Sequence, residues 1–128
     1  MEKLAYKVET GKSFDEVSEN IEKIFPQRGF RVLAVHNVKE TLAEKGFVIE
    51  PLKIFEVCNA GFAYKAIRKD VNVAMFMPCK VIIHPDKNGT SITLMRPSLI
   101  SEMLPQSDLG DLAAEVEKQL IGIIDAIK

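Results

Sequence analysis

The sequence predicts an α+β domain: a mostly antiparallel sheet of five strands with helices packed on one face. Three observations carry that reading. Two long stretches with helical apolar spacing, one near each end of the chain, bracket a middle of short extended runs. Glycine, proline and asparagine punctuate those runs. The segment Pro85-Asp86-Lys87-Asn88-Gly89 joins two of them as a tight hairpin, with Asn-Gly supplying positive φ.

Taken in order, Leu4 to Val8 alternates, with Leu4, Tyr6 and Val8 on one face of a first strand. Gly11 breaks it. Ser13 opens a helix with Glu16 three residues on, the pattern of a capping box. Phe14, Val17, Ile21, Ile24 and Phe25 form its apolar stripe. Pro26 kinks or ends the last turn because it has no backbone donor, and Gly29 suits the position past the end. Phe30 to Val35 is the second strand. Asn37 caps a short helix with Glu40, and Gly46 closes it.

Phe47 to Val57 reads as a long third strand, with Pro51 marking an edge or a bulge. Asn59 caps a third helix whose buried side is Phe62, Ala63, Ala66 and Ile67. Met75 to His84 is the fourth strand, and Thr90 to Met95 returns from the hairpin as the fifth. Pro97 ends it and Ser98 caps one turn of helix. Ser107 caps the last helix, with Leu112, Val116, Leu120, Ile123 and Ile127 at helical spacing. Asp108 and Asp111 lie in its first turn, where the helix dipole favours negative charge.

The chain has 128 residues, which fits a single domain over 1–128. A domain of this size buries roughly two-thirds of its unfolded surface and needs no staples. Hydrophobic residues are 47% and charged residues 27%, the balance of a folded chain. The 17 basic and 18 acidic residues leave a net charge of −1, so the basic surplus of a nucleic-acid module is missing. Lys65, Arg68 and Lys69 read as a solvated helix face. No run approaches the ~18 apolar residues of a membrane span, and the N-terminus has no apolar signal core. Two cysteines suit a reducing compartment, so the cytoplasm is the expected location.

Glu56-Val57-Cys58-Asn59 and Met77-Pro78-Cys79-Lys80-Val81 resemble the prokaryotic domain-of-unknown-function family 302. Phe14-Asp15-Glu16-Val17, Gly29-Phe30 and Leu42 through Gly46 extend the resemblance over nearly the whole chain. One departure is Ala60, where the family usually places proline; either residue starts a helix. The resemblance implies a curved antiparallel sheet with helices on one side, like one half of the TATA-box-binding protein, often as a homodimer. It implies no activity, and fold likeness does not bring DNA binding with it.

The chemistry centres on Cys58 and Cys79. Cys58 stands where a strand ends and a helix begins, where backbone donors favour a thiolate. Glu56, two residues before on the same face, pushes the other way. If the third and fourth strands are antiparallel neighbours, the two thiols approach; if parallel, they lie on the order of 20 Å apart at about 3.3 Å per residue. The resemblance favours the antiparallel case. A close pair could form a reversible disulfide, share a metal ion or line a site with Glu56, Asn59 and Met77. Met75, Met77 and Cys79 alternate along the expected strand, so soft-metal ligation, copper(I) above all, is one reading; an adaptable apolar surface is the other. His36 and His84 are expected as solvated strand-end residues at the opposite edge, which disfavours a zinc site. The phosphate-loop, dinucleotide-fold, zinc-peptidase and serine-hydrolase motifs are all missing. Three function classes remain. They are a small-ligand, metal or redox-responsive binding module at the cysteines; a homodimeric interaction protein, suggested by the apolar stretch Val71 to Met77; and, weakest, a thiol enzyme.

Overall fold

The computed structural model describes residues 1–128. Five strands form one sheet: β1 (Ala5–Thr10), β2 (Arg31–Asn37), β3 (Lys53–Cys58), β4 (Cys79–Asp86) and β5 (Gly89–Met95). Their spatial order is β1-β5-β4-β3-β2, and every neighbouring pair is antiparallel. The helices are α1 (Phe14–Gln27), α2 (Val38–Ala43), α3 (Ala60–Lys69), α4 (Ser98–Met103) and α5 (Gly110–Ile127). The architecture is therefore α+β, with an open five-stranded antiparallel sheet. None of the helices is long and apolar enough to cross a membrane.

The period-2 pattern of the strands decides which sheet face is covered. Phe55 and Val57 of β3, Val81 and Ile83 of β4, and Ile92 and Leu94 of β5 are fully buried. They meet Val17, Ile21 and Phe25 of α1 and Leu120, Ile123, Ile124 and Ile127 of α5 in one core. Each such side chain contributes about 1.5–3 kcal/mol by leaving water. That burial holds the two long helices on the sheet.

Local signals fix the helix ends. Ser13 Oγ accepts from the Glu16 amide at 3.2 Å, and Asn37 Oδ1 from the Glu40 amide at 3.1 Å. Pro26 is tolerated in the last turn of α1, and Gly29, at φ 86°, turns the chain so that the Phe30 amide reaches Phe25 O at 3.0 Å. The hairpin closes at the Asp86–Gly89 pair, with Lys87 and Asn88 at its tip. Positive φ falls on Gly89 alone, at 155°; Asn88 does not share it.

Several expectations fail, each for a local reason. β3 begins at Lys53 rather than Phe47, because its ladder with β2 ends at Asn37–Lys53, where α2 takes over the connection. The preceding Phe47 and Val48 are 64% and 88% exposed, and Pro51 has no donor for a ladder. β4 begins at Cys79 rather than Met75. Residues Val71–Phe76 instead form a 3₁₀ turn, opened by Asp70 Oδ1 accepting from the Asn72 amide at 2.9 Å. The Met77–Pro78 peptide that follows is cis. Ser107 does not cap α5: it lies in a 3₁₀ turn and donates its hydroxyl to Asp70 Oδ2 at 2.6 Å, and α5 starts at Gly110, so Asp108 falls before its first turn. Ser98 is the first residue of α4 rather than its cap, with Pro97 before it. Ile67 is exposed, because α3 buries a narrower stripe centred on Ala66.

Candidate apolar ligand site

At the end of the sheet where β3 leaves and β4 enters, a second apolar cluster builds up. Ala66 of α3, Val73 of the 3₁₀ turn, and Leu109 and Ala113 around the start of α5 form it, with Met77, Ile100, Leu104 and Leu112 packed against them. Between this cluster and the main core lies a cavity of about 70 Å³ with 18 lining residues, 15 of them hydrophobic. Phe30, Val57 and Cys79 line its sheet side, and Phe62, Ala66 and Ala113 belong to its helical walls. The side chains there are small where α3 and α5 approach, which leaves the space unfilled.

The α4 segment completes the wall through Pro97 and Ile100. Polar contacts pin it at both ends. Glu117 Oε1 accepts from the Ser98 amide at 3.1 Å and from Ser98 Oγ at 2.7 Å, while Arg96 Nη1 bridges to Glu117 Oε2 at 3.2 Å. The Ser107–Asp70 bond fastens the other end.

Cys58, Asn59, Met77 and Cys79 all line the cavity. Antiparallel pairing of β3 with β4 sets Cys79 opposite Val57, one residue before Cys58. Both thiols are free. Successive strand residues point to opposite faces, so the register does not give the two cysteines the directly opposed geometry of a cross-strand disulfide. Burial pushes the Cys79 thiol up to about 11, with the nearby Cys58 adding to the effect and Lys80 working against it. A neutral thiol is a poor nucleophile and a poor metal ligand.

Asn59 is a structural tie as well as a lining residue. Its Oδ1 accepts from the Phe62 amide at 3.1 Å and its Nδ2 donates to Gly29 O at 2.9 Å, so one side chain caps α3 and holds it to the turn after α1.

Glu56 is absent from the cavity lining. Its carboxylate is held by His36 Nε2 at 2.8 Å and Lys80 Nζ at 3.5 Å. The His36 hydrogen bond, followed by the Lys80 charge, keeps it below the usual glutamate range despite some desolvation. Direct pairing of Glu56 with Lys80 across β3 and β4 explains the contact. His36 is thus a partner of Glu56 rather than a lone solvated residue. His84 is engaged locally, with Nδ1 2.9 Å from Pro85 O.

The row of soft donors is also revised. With 71–76 coiled as a 3₁₀ turn, Met75 is 72% exposed while Met77 faces the cavity, so the expected Met75-Met77-Cys79 face does not form. Nowhere do three or more histidine, cysteine or acidic side chains gather in a way that could hold a metal ion.

A polar recess of about 440 Å³ adjoins the cavity between α3 and α5. Phe62 and Leu112 line both spaces, and Lys65, Lys69, Asp108, Asp111 and Glu115 line the recess. Lys69 Nζ lies 3.7 Å from Asp108 Oδ2. Sequence patterns did not single out Phe62, Leu112 and Ala113 as site residues, because each reads as ordinary helix packing.

A family model described as Domain of unknown function DUF302 matches residues 6–127. The crystal structure of an uncharacterized conserved protein DUF302 from Bacillus stearothermophilus is similar to this chain at 31% identity, with a TM-score of 0.91 and 98% of each chain covered. The curated proteins give no match.

Proposed function

The chain belongs to the DUF302 family, and from that premise we propose that it is a small-ligand binding module whose site is the apolar cavity beside Cys58 and Cys79. The observation that carries the reading is the cavity itself: 15 of 18 lining residues are hydrophobic, and it lies against the main core. Apolar cavities stay dry and take apolar guests. The thiols favour ligand binding over metal or redox chemistry. Cys79 keeps its proton, its cross-strand partner is Val57, and no histidine or acidic side chain joins the pair to make a metal site. In this reading Cys79 serves as a small, polarisable wall.

Thiol protection tests it. In a Cys58→Ala background, the labelling rate of Cys79 is followed with and without pentanol or hexanol, alongside amide shifts of the cavity residues by NMR. The expected result is slower labelling and shifts at Ala63 and Ala113 on adding the probe. A folded Ala63→Leu variant, which fills the space, loses both effects. Labelling and spectra indifferent to every probe would sink the proposal.

A second reading is a homodimer. Val71 and Met75 are 68% and 72% exposed on the 3₁₀ turn, and Tyr64 is 66% exposed on α3. Light scattering at micromolar concentration decides it, and a monomeric mass removes it.

A further inference from the structure

We propose that the ligand is an amphiphile, with a short uncharged hydrocarbon end in the cavity and a polar head in the adjoining charged recess between α3 and α5. The inference rests on the ligand-binding reading above and adds the ligand's class and orientation.

The polar atoms of the cavity give the first argument. Apart from the two thiols, Asn59 supplies the lining's one polar side chain, and both ends of its amide are already bonded, to the Phe62 amide and to Gly29 O. Lysine, arginine, aspartate, glutamate and histidine do not line it. A charged or hydrogen-bonding group pushed in there would leave water and find no partner, and such groups are strongly disfavoured. The buried end of the ligand is therefore hydrocarbon.

Size limits that end. The cavity measures about 70 Å³, against the ~10–15 Å³ that admits one water. The buried part is on the order of five non-hydrogen atoms, the scale of a short alkyl chain or one small ring.

Adjacency to the recess supplies the orientation. Phe62 and Leu112 line both spaces, which puts Lys65 and Lys69 of α3 and Asp111 and Glu115 of α5 next to the cavity, where the proposal seats the polar head. With two lysines and three acidic residues around it, counting Asp108, the recess presents charges of both signs. It accommodates a hydroxyl, a carboxylate or an ammonium group, none of which the cavity accepts.

The test is an NMR titration of the full chain with propanol, butanol, pentanol, hexanol, hexanoate, hexylamine and hexanedioate. Affinity is expected to rise about fourfold per added methylene and to level off once the cavity is full. The three hexyl compounds should bind within about tenfold of one another, because their heads stay in the mixed recess. Hexanedioate, which must bury one carboxylate or stay outside, should bind at least about 30-fold more weakly than hexanoate. Amide shifts should appear at Lys65 and Glu115 as well as at Ala63 and Ala113. Lys65→Ala combined with Lys69→Ala should weaken hexanoate relative to hexylamine. Equal binding of hexanedioate and hexanoate, affinity independent of chain length, or unmoved recess amides each overturn the amphiphile. In those cases the cavity stands as a site if Cys79 is still protected from labelling. If no compound binds and Cys79 is not protected, the ligand-binding reading falls first and takes this one with it.

Discussion

The Cys79 thiol gives the sharpest test of the site's environment. Burial raises it from 9.0 to about 11. Between those values the folded chain keeps a proton that the unfolded chain has lost. The stabilisation is therefore fully present below about pH 9 and is lost as pH rises through about 11. Two units correspond to about 2.7 kcal/mol, an upper bound because the side chain is only partly buried. Near neutral pH the same shift lowers the thiolate fraction about 100-fold relative to a free cysteine. Urea unfolding compares the Cys58→Ala protein with Cys58→Ala/Cys79→Ala from neutral pH to about pH 11. The stability difference should hold constant to about pH 9 and then move against the thiol protein. Labelling of Cys79 in the folded state should run far below the free-thiol rate. A pH-independent difference, or a thiolate absorbance that titrates near 9, would refute the claim that this cavity wall is apolar and dry.

Other positions yield further expectations. A Cβ at Gly89 would stand 2.0 Å from Thr10 O with φ at 155°, so Gly89→Ala should cost on the order of 3 kcal/mol in denaturant unfolding; a loss within experimental error would show that the hairpin shifts freely against β1. Asn59→Ala removes the α3 cap and the bond to Gly29, with an expected loss of about 1–2 kcal/mol, whereas Asn59→Asp keeps the cap and should lose less. Equal losses for the two variants would mean that the cap contributes nothing. Because His36 and Lys80 hold the Glu56 carboxyl below its usual range, its stabilisation is present above the unfolded value and lost as pH falls through the lowered one. Glu56→Gln should flatten that part of the acid limb of a stability–pH curve, and an unchanged limb would count against the contact.

Where two independent local signals agreed, the sequence was legible. Ser13 and Asn59 each combine a cap with an apolar periodicity, Asn37 combines one with Glu40 and a closing Gly46, and all three caps form. The β4–β5 hairpin had both alternation and a turn sequence. Reading failed where apolar residues ran on without a period to decide them. Met75 to Met77 satisfies the start of a strand by composition, yet Asp70 starts a turn through the Asn72 amide and then takes the Ser107 hydroxyl. That second bond, spanning 37 residues, is invisible to any local pattern. Phe47 and Val48 failed in the same way, because apolar character alone does not say that a ladder partner exists.

The failure at the 3₁₀ turn falls beside the cavity for a physical reason. A site needs space beside the core, and space appears where elements are held apart by something other than complementary packing. Here the holding is polar: Asp70 to Ser107, Glu117 to Ser98 and Arg96, and Asn59 to Gly29 fix the 3₁₀ turn, α4 and α3 from outside. Alanines at 63, 66 and 113 then face inward without filling the gap. Had packing alone set these positions, the α4 segment would settle onto Ala66 and Ala113 and the cavity would close, since empty apolar space costs stability in proportion to its volume. The polar ties hold that apolar space open in the empty protein, and a bound hydrocarbon end would regain the contacts its lining lacks.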